Sequence, residues 1–187
     1  PLMYMCFQLI ENQDLKDLGI NNNSIIGDEF CATFGFPIFL QKFLQQKEDI
    51  KIKTENIRGI EYHERLSKFA LMNCLFSMGT CDNVKNKDSF ITDVTPHLDI
   101  SVHNVPFGKS MMPKIIKEKY IKFQKENPDK PKIEEYIPFP DKKIDAILSS
   151  QVVLYKTKKM GLMIIKDGVE TSGKSNDKYR KWFMENC

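Results

Sequence analysis

The sequence has no C-x-x-C pair, no G-x-G-x-x-G and no G-x-S-x-G. These absences remove a zinc knuckle, a dinucleotide fingerprint and a hydrolase elbow. The longest apolar stretch, Ala32 to Leu40, is nine residues and contains Pro37, too short to cross a bilayer. Cysteine is sparse and odd in number: Cys6, Cys31, Cys74, Cys81 and Cys187. That reads as free thiols in a reducing compartment, cytoplasm or nucleus. The apolar start, Pro1 to Phe7, has no basic residue before it, so it does not read as a signal peptide. A first residue of Pro fits either a trimmed initiator Met or a piece of a longer protein.

What is present is a chain of 187 residues, with thirteen Phe and nine Met to fill a core. Charge is polarised. Residues 1–56 carry five Lys against eight Asp/Glu, and residues 111–187 carry seventeen Lys/Arg against eleven. A basic C-terminal third suits phosphates or an acidic partner, and a solvated lysine face accounts for the same residues.

Hydrophobic periodicity places helices at 28–46, 57–78, 112–127 and 176–185, with a short one at 144–150. The second half of 57–78 is apolar nearly all round and reads as the central core helix. Strands are expected at 49–53, 90–94 and 98–102. The stretches 152–157 and 162–166 read as a hairpin turning through Lys158–Gly161. The proline-rich stretch 128–141 reads as a stiff connection on the surface. The expected fold is α+β, a mainly antiparallel sheet with about four to five helices, ending in that hairpin and a short helix. It is read as one domain over 1–187, with possible sub-lobes 1–88 and 89–187.

Gly168–Ser175 fits G-x-x-x-x-G-K-[ST], with Gly168, Gly173, Lys174 and Ser175 in the required places. Over about fifteen residues the chain here resembles the P-loop NTPases. The resemblance implies Mg-NTP as cofactor, and strands beyond Cys187 that end in an acid. Read without it, the segment is a Gly/Ser/Thr turn, and the cofactor stays open.

His97-x-Asp99-x-Ser101-x-His103 puts four polar side chains on one face of a strand. His97 and Asp99 are near enough to share a metal. His103 is about 20 Å from His97 in a straight strand. A solvent-facing strand explains the same pattern. Glu61 with Arg65, or Glu64 with Lys68, has the spacing of a helix surface pair. Lys114, Lys117 and Lys122 on one helix, Lys158 and Lys159 at the hairpin tip, and Arg180 and Lys181 at the tail are interleaved with Tyr120, Phe123 and Trp182. Such a surface suits phosphate contact and base stacking, and the aromatics also suit a core.

The sequence therefore predicts a binding or interaction domain of a larger protein or assembly, with a protein partner and nucleic acid against the basic third. The alternatives are a fragment of a P-loop nucleotide-binding enzyme and a metal-dependent enzyme using His97 and Asp99.

Overall fold

The structure, a computed structural model, describes residues 2–11, 15–47, 49–108, 113–165 and 177–186. Helix α1 spans Leu2–Glu11, strand β1 Ile26–Asp28 and helix α2 Gly35–Lys47. Strand β2 is Ile57–Ile60, helix α3 Glu64–Met78 and strand β3 Val84–Lys85. Strand β4 is Leu98–Asn104, followed by helices α4 (Pro113–Glu126), α5 (Ile133–Tyr136) and α6 (Asp145–Lys156). Strand β5 is Thr157–Ile164 and helix α7 is Asp177–Asn186.

The strands form one sheet in the order β3-β2-β1-β4-β5, and every pairing is parallel. This is a doubly wound α/β sheet, and it overturns the expected α+β fold with an antiparallel sheet. The order runs β1, β2, β3 to one side and β4, β5 to the other, so the sense in which strands are added reverses between β1 and β4. Helices α2 and α3 pack with Ile26, Ile57, Ile100 and Val102 in one apolar core. The other side chains gather with α4, α5 and α6 around Tyr120, Tyr136, Leu148 and Val152, and with α7 around Val105, Ile147 and Tyr179.

The expected hairpin is absent. Val152 and Val153 lie in α6, which is buried on nearly all sides and so has no polar face to betray its period. Gly161 does not turn the chain. It lies in β5 opposite Ser101, where an added Cβ would sit 3.4 Å from the Ser101 hydroxyl. The helix expected from Ile57 begins only at Glu64, because Ile57–Ile60 is β2. The helix expected from Asp28 likewise begins at Gly35, with Pro37 in its first turn. Residues 49–53 and 90–94 form no strand, although Phe90 and Val94 are buried. The proline-rich stretch is anchored in the core, with Ile133, Tyr136 and Ile137 buried.

Helix α3 is inverted relative to expectation. Its inward residues are the small Ser67, Ala70 and Cys74. Leu71 and Met78 pack against the core beside them, while Leu66, Phe69, Met72, Leu75 and Phe76 face outward, as do Tyr4, Met5 and Leu9 of α1 and Phe39 of α2. Gly79 ends α3 in the left-handed conformation that its position predicted. No helix of the described residues is long and apolar enough to cross a membrane.

Candidate functional site

In open α/β sheets a ligand crevice forms outside the carboxyl ends of the strands, where the strand order reverses. Here that place is bounded by the ends of β1, β2 and β4.

The loop leaving β1 folds tightly onto β2. Cys31 N–H donates to Ile60 O at 2.9 Å, and Ala32 N–H donates to Glu61 Oε2 at 2.9 Å. Ala32 and Phe34 adopt positive φ, 46° and 66°, which non-glycine residues rarely do. The buried Phe34 ring lies over Gly59, where an added Cβ would come within 2.5 Å of it. Gly59 is therefore required by the ring, and Phe34 locks the loop to β2. Burial and the carboxylates of Asp28 and Glu61 push the Cys31 thiol well up, which leaves it no reactive thiolate.

Glu61 directly follows β2. Its Oε1 also accepts the His63 N–H at 2.7 Å. The Glu61–Arg65 pairing that spacing allowed is thus replaced by main-chain contacts, while Glu64 and Lys68 do pair, at 2.6 Å. Tyr62 beside Glu61 is 65% exposed, and Lys119 of α4 sits 5.2 Å from its ring centre. Lys119 also pairs with Asp88 at 2.9 Å. Asn86 donates to the carbonyls of Glu61 and Tyr62, joining the chain after β3 to the chain after β2.

At the end of β4, Asn104 is exposed, Val105 is buried, and Phe107 is 46% exposed after Pro106. His103 ties this end to β1. Its Nδ1 lies 2.8 Å from Asp28 Oδ1 and 3.1 Å from the Glu29 nitrogen, whose N–H it accepts, and its buried Nε2 has no partner among the described residues.

A buried charge cluster lies beneath. Lys156, at the end of α6, is fully buried and donates to Glu29 Oε2, to Ser89 O at 2.8 Å and to Thr92 O at 2.6 Å. Glu29 Oε1 lies 3.2 Å from His97 Nε2. Burial alone would raise the Glu29 carboxyl, but the Lys156 ammonium and His97 hold it below the usual carboxylate range. Burial draws Lys156 down against the pull of Glu29. A folded carboxyl held low contributes stability above its unfolded pKa and loses it as pH falls through the folded value. The urea midpoint is therefore expected to hold from about pH 7 to pH 5 and to drop below about pH 4. A midpoint unchanged at pH 3 would show that Glu29 is not charged in the fold.

The predicted site residues are dispersed. His97 faces Glu29, Asp99 accepts the Ile25 N–H at 2.8 Å, Ser101 meets Thr157 at 2.6 Å and His103 meets Asp28. These side chains tie β4 to its neighbours. Among the described residues no group of three or more His, Cys, Asp or Glu is placed to hold a metal. Lys158 and Lys159 open β5, at the opposite end of the sheet from Asn104, and Lys159 donates to Gly19 O at 2.9 Å. Lys117 pairs with Asp141 at 2.7 Å, Lys114 lies 4.0 Å from Glu118, and Lys122 is exposed. Arg180 pairs with Asp177, and Lys181 lies 3.9 Å from Glu185. Tyr120 is fully buried, with its hydroxyl on Pro131 O at 2.9 Å. Gly168, Gly173, Lys174 and Ser175 lie outside the described residues.

A cavity of about 490 Å³ runs beside β2 and β3, lined by Arg58, Asn83, Lys85 and Asp93 with Glu29 and His97. Its lining includes neither Glu61 nor Asn104. Sequence reasoning missed both residues. The available signal was an acid directly after a short Ile-rich run, and Asn-Val-Pro-Phe directly after an alternating strand.

The family model described as N-6 DNA Methylase matches residues 12–187. No curated protein matches the chain. Three solved structures share the fold. One is described as a class I S-adenosylmethionine-dependent methyltransferase from Listeria monocytogenes, at TM-score 0.64 and 15% identity, covering 97% of this chain and 49% of that one. The M protein of the type I restriction enzyme EcoKI gives 0.56 and 15%, covering 83% and 32%. A nuclease-deletion mutant of the type ISP restriction-modification enzyme LlaGI, in complex with a DNA substrate mimic, gives 0.67 and 14%, covering 100% and 22%. The chain thus spans half or less of the length of each of these neighbours. The family match overturns both the generic binding domain and the P-loop fragment expected from sequence.

Proposed function

Because the chain belongs to the N-6 DNA Methylase family, we propose that it is the methyl-transfer domain of a DNA adenine methyltransferase that uses S-adenosylmethionine. The observation that carries this reading is the end of β4, where an exposed amide, Asn104, and an exposed aromatic ring, Phe107, flank a buried Val105 beside the reversal point of the sheet.

The residues at the end of β2 fit the donor. The Glu61 carboxylate accepts two main-chain N–H groups, and a carboxylate has about four acceptor positions, so lone pairs remain for ribose hydroxyls. Tyr62 offers an exposed ring beside it for a purine. When bound, the donor would supply a methyl group from its sulfonium: an amine would attack that carbon while the C–S bond breaks, leaving a neutral thioether. The amino nitrogen of adenine is a poor nucleophile because its lone pair is delocalised into the ring. An acceptor on an amino hydrogen localises that pair, and the Asn104 amide oxygen supplies one. Phe107 supplies a face on which an extruded base stacks. The amine then loses a proton to solvent.

DNA is the proposed macromolecular partner, with further subunits or domains of a restriction-modification type of assembly. A DNA substrate also agrees with an intracellular, reducing compartment. Lys114, Lys117, Lys122, Arg180 and Lys181 remain proposed phosphate contacts. Calorimetry with S-adenosylmethionine tests the donor site. Glu61→Gln is expected to weaken binding at least about tenfold. Absence of donor binding by the unaltered chain, or undiminished binding by Glu61→Gln, would remove Glu61 from this role.

A further inference from the structure

Helix α3 is apolar on both sides, with Leu71 and Met78 packed against the core and a second apolar face turned outward. Ser67, Ala70 and Cys74 face the core, while Leu66 is 36% exposed, Phe69 46%, Met72 51%, Leu75 50% and Phe76 80%. Phe69, Met72 and Phe76 lie three and four residues apart, so they form one stripe. A helix apolar on both sides is normally covered on both.

At about 150–250 Å² per large side chain, these five residues expose on the order of 500 Å². The outward residues of α1 and α2, in the same helical layer, bring that to about 900 Å². The largest apolar patch on an ordinary monomer is about 300–600 Å². A standard interface takes about 800 Å² from each partner.

We propose that this layer is a two-fold interface between copies of the chain, with α3 of one copy packed antiparallel to α3 of the other. Charge placement decides the orientation. The charged residues of α3 are Glu64, Arg65 and Lys68, all at its start. A parallel pair would stack like charges upon like. An antiparallel pair carries Arg65 and Lys68 to the partner's C-terminal end, where helix carbonyls are exposed and the dipole is negative. The apolar stripe then meets itself at the centre, with Met72 near the axis, which is the self-complementary pattern of a two-fold contact. Nothing on this face belongs to the β4 end, so the interface stands apart from the proposed methyl transfer.

Sedimentation equilibrium of the 187-residue chain is expected to show a dimer. Phe69→Glu with Phe76→Glu is expected to raise the dimer dissociation constant at least about 30-fold, with the far-ultraviolet circular dichroism unchanged. Both sites are partly or largely exposed, so the monomer should keep its fold. Met72→Cys, in a background with Cys6, Cys81 and Cys187 replaced by Ser, is expected to form a disulfide between copies on mild oxidation. A monomer at all concentrations up to about 100 μM, a dimer that survives both glutamates, or an apolar layer that binds lipid vesicles without dimerising would each overturn the proposal.

Discussion

Lys156→Ala is expected to destabilise the fold by about 3–5 kcal/mol, the usual loss when one partner of a buried ion pair is removed. Domain stability is only about 5–15 kcal/mol, so the variant should be marginal at 37 °C. The reason is what the ammonium leaves behind. Glu29 is 2% exposed and, among the described residues, would keep His97 as its side-chain partner. The carbonyls of Ser89 and Thr92 would each lose a donor. The cluster also joins three segments that no strand pairing connects: the loop after β1, the connection between β3 and β4, and the end of α6. Losing it should loosen Asp88, next to Ser89, and with it the wall of the site.

The pH dependence separates charge from packing. In the natural chain Glu29 is held low, so acid removes its contribution. In Lys156→Ala a buried, poorly partnered Glu29 has its carboxyl raised, so protonation relieves the variant as pH falls through the raised value. The two urea midpoints should therefore approach each other below about pH 5. Parallel curves from pH 7 to pH 4 would assign the loss to packing alone. Lys156→Met with Glu29→Gln should fall between the two chains. It removes the stranded charge, but it leaves the two carbonyls without a donor, at about 1–3 kcal/mol each.

Part of the helical layout was readable before the structure, while the sheet and the site were not, for physical reasons. Helices α4 and α7 stood out because each has a polar face over an apolar one. Gly79 ended α3 as its type and position required. The parallel sheet was hidden because β1 and β3 are only three and two residues long, too short to show a period of two. The first half of α6 was read as the short helix at 144–150, but its buried second half mimicked a strand, since Val152, Val153 and Leu154 are a β-favouring run and the helix has no polar stripe. On β4 the alternation of polar and apolar residues was real. Its meaning was misread, because a central parallel strand buries both faces, and His97, Asp99, Ser101 and the Nδ1 of His103 meet neighbouring chain rather than water. Glu61 and Asn104 gain significance only from the strand order, which brings the ends of β1, β2 and β4 together. No local spacing encodes that order.

Asn104→Ala is expected to lower the rate of methyl transfer to adenine in DNA by about 10²–10³-fold, the effect of removing one preorganised hydrogen-bonding group from a reacting centre. Stability should change by no more than about 0.5 kcal/mol, because the side chain is exposed and β4 keeps its pairing to β5. Donor affinity should be unchanged, since the proposed donor site is at the end of β2. The loss should therefore fall on kcat at saturating donor and DNA. Asn104→Asp keeps an acceptor oxygen in place and should retain more activity than Asn104→Ala. If the two variants are equally inactive, acceptance of an amino hydrogen by the side-chain oxygen is not its role. Phe107→Ala should act differently. A ring that stacks on an extruded base contributes about 1–3 kcal/mol per base, so its removal should raise KM for DNA more than it lowers kcat. The contrast between the two positions separates a chain that performs the transfer from one that only retains the fold. Loss of donor binding cannot imitate a fall in kcat at Asn104 paired with a rise in KM for DNA at Phe107, and neither can general unfolding.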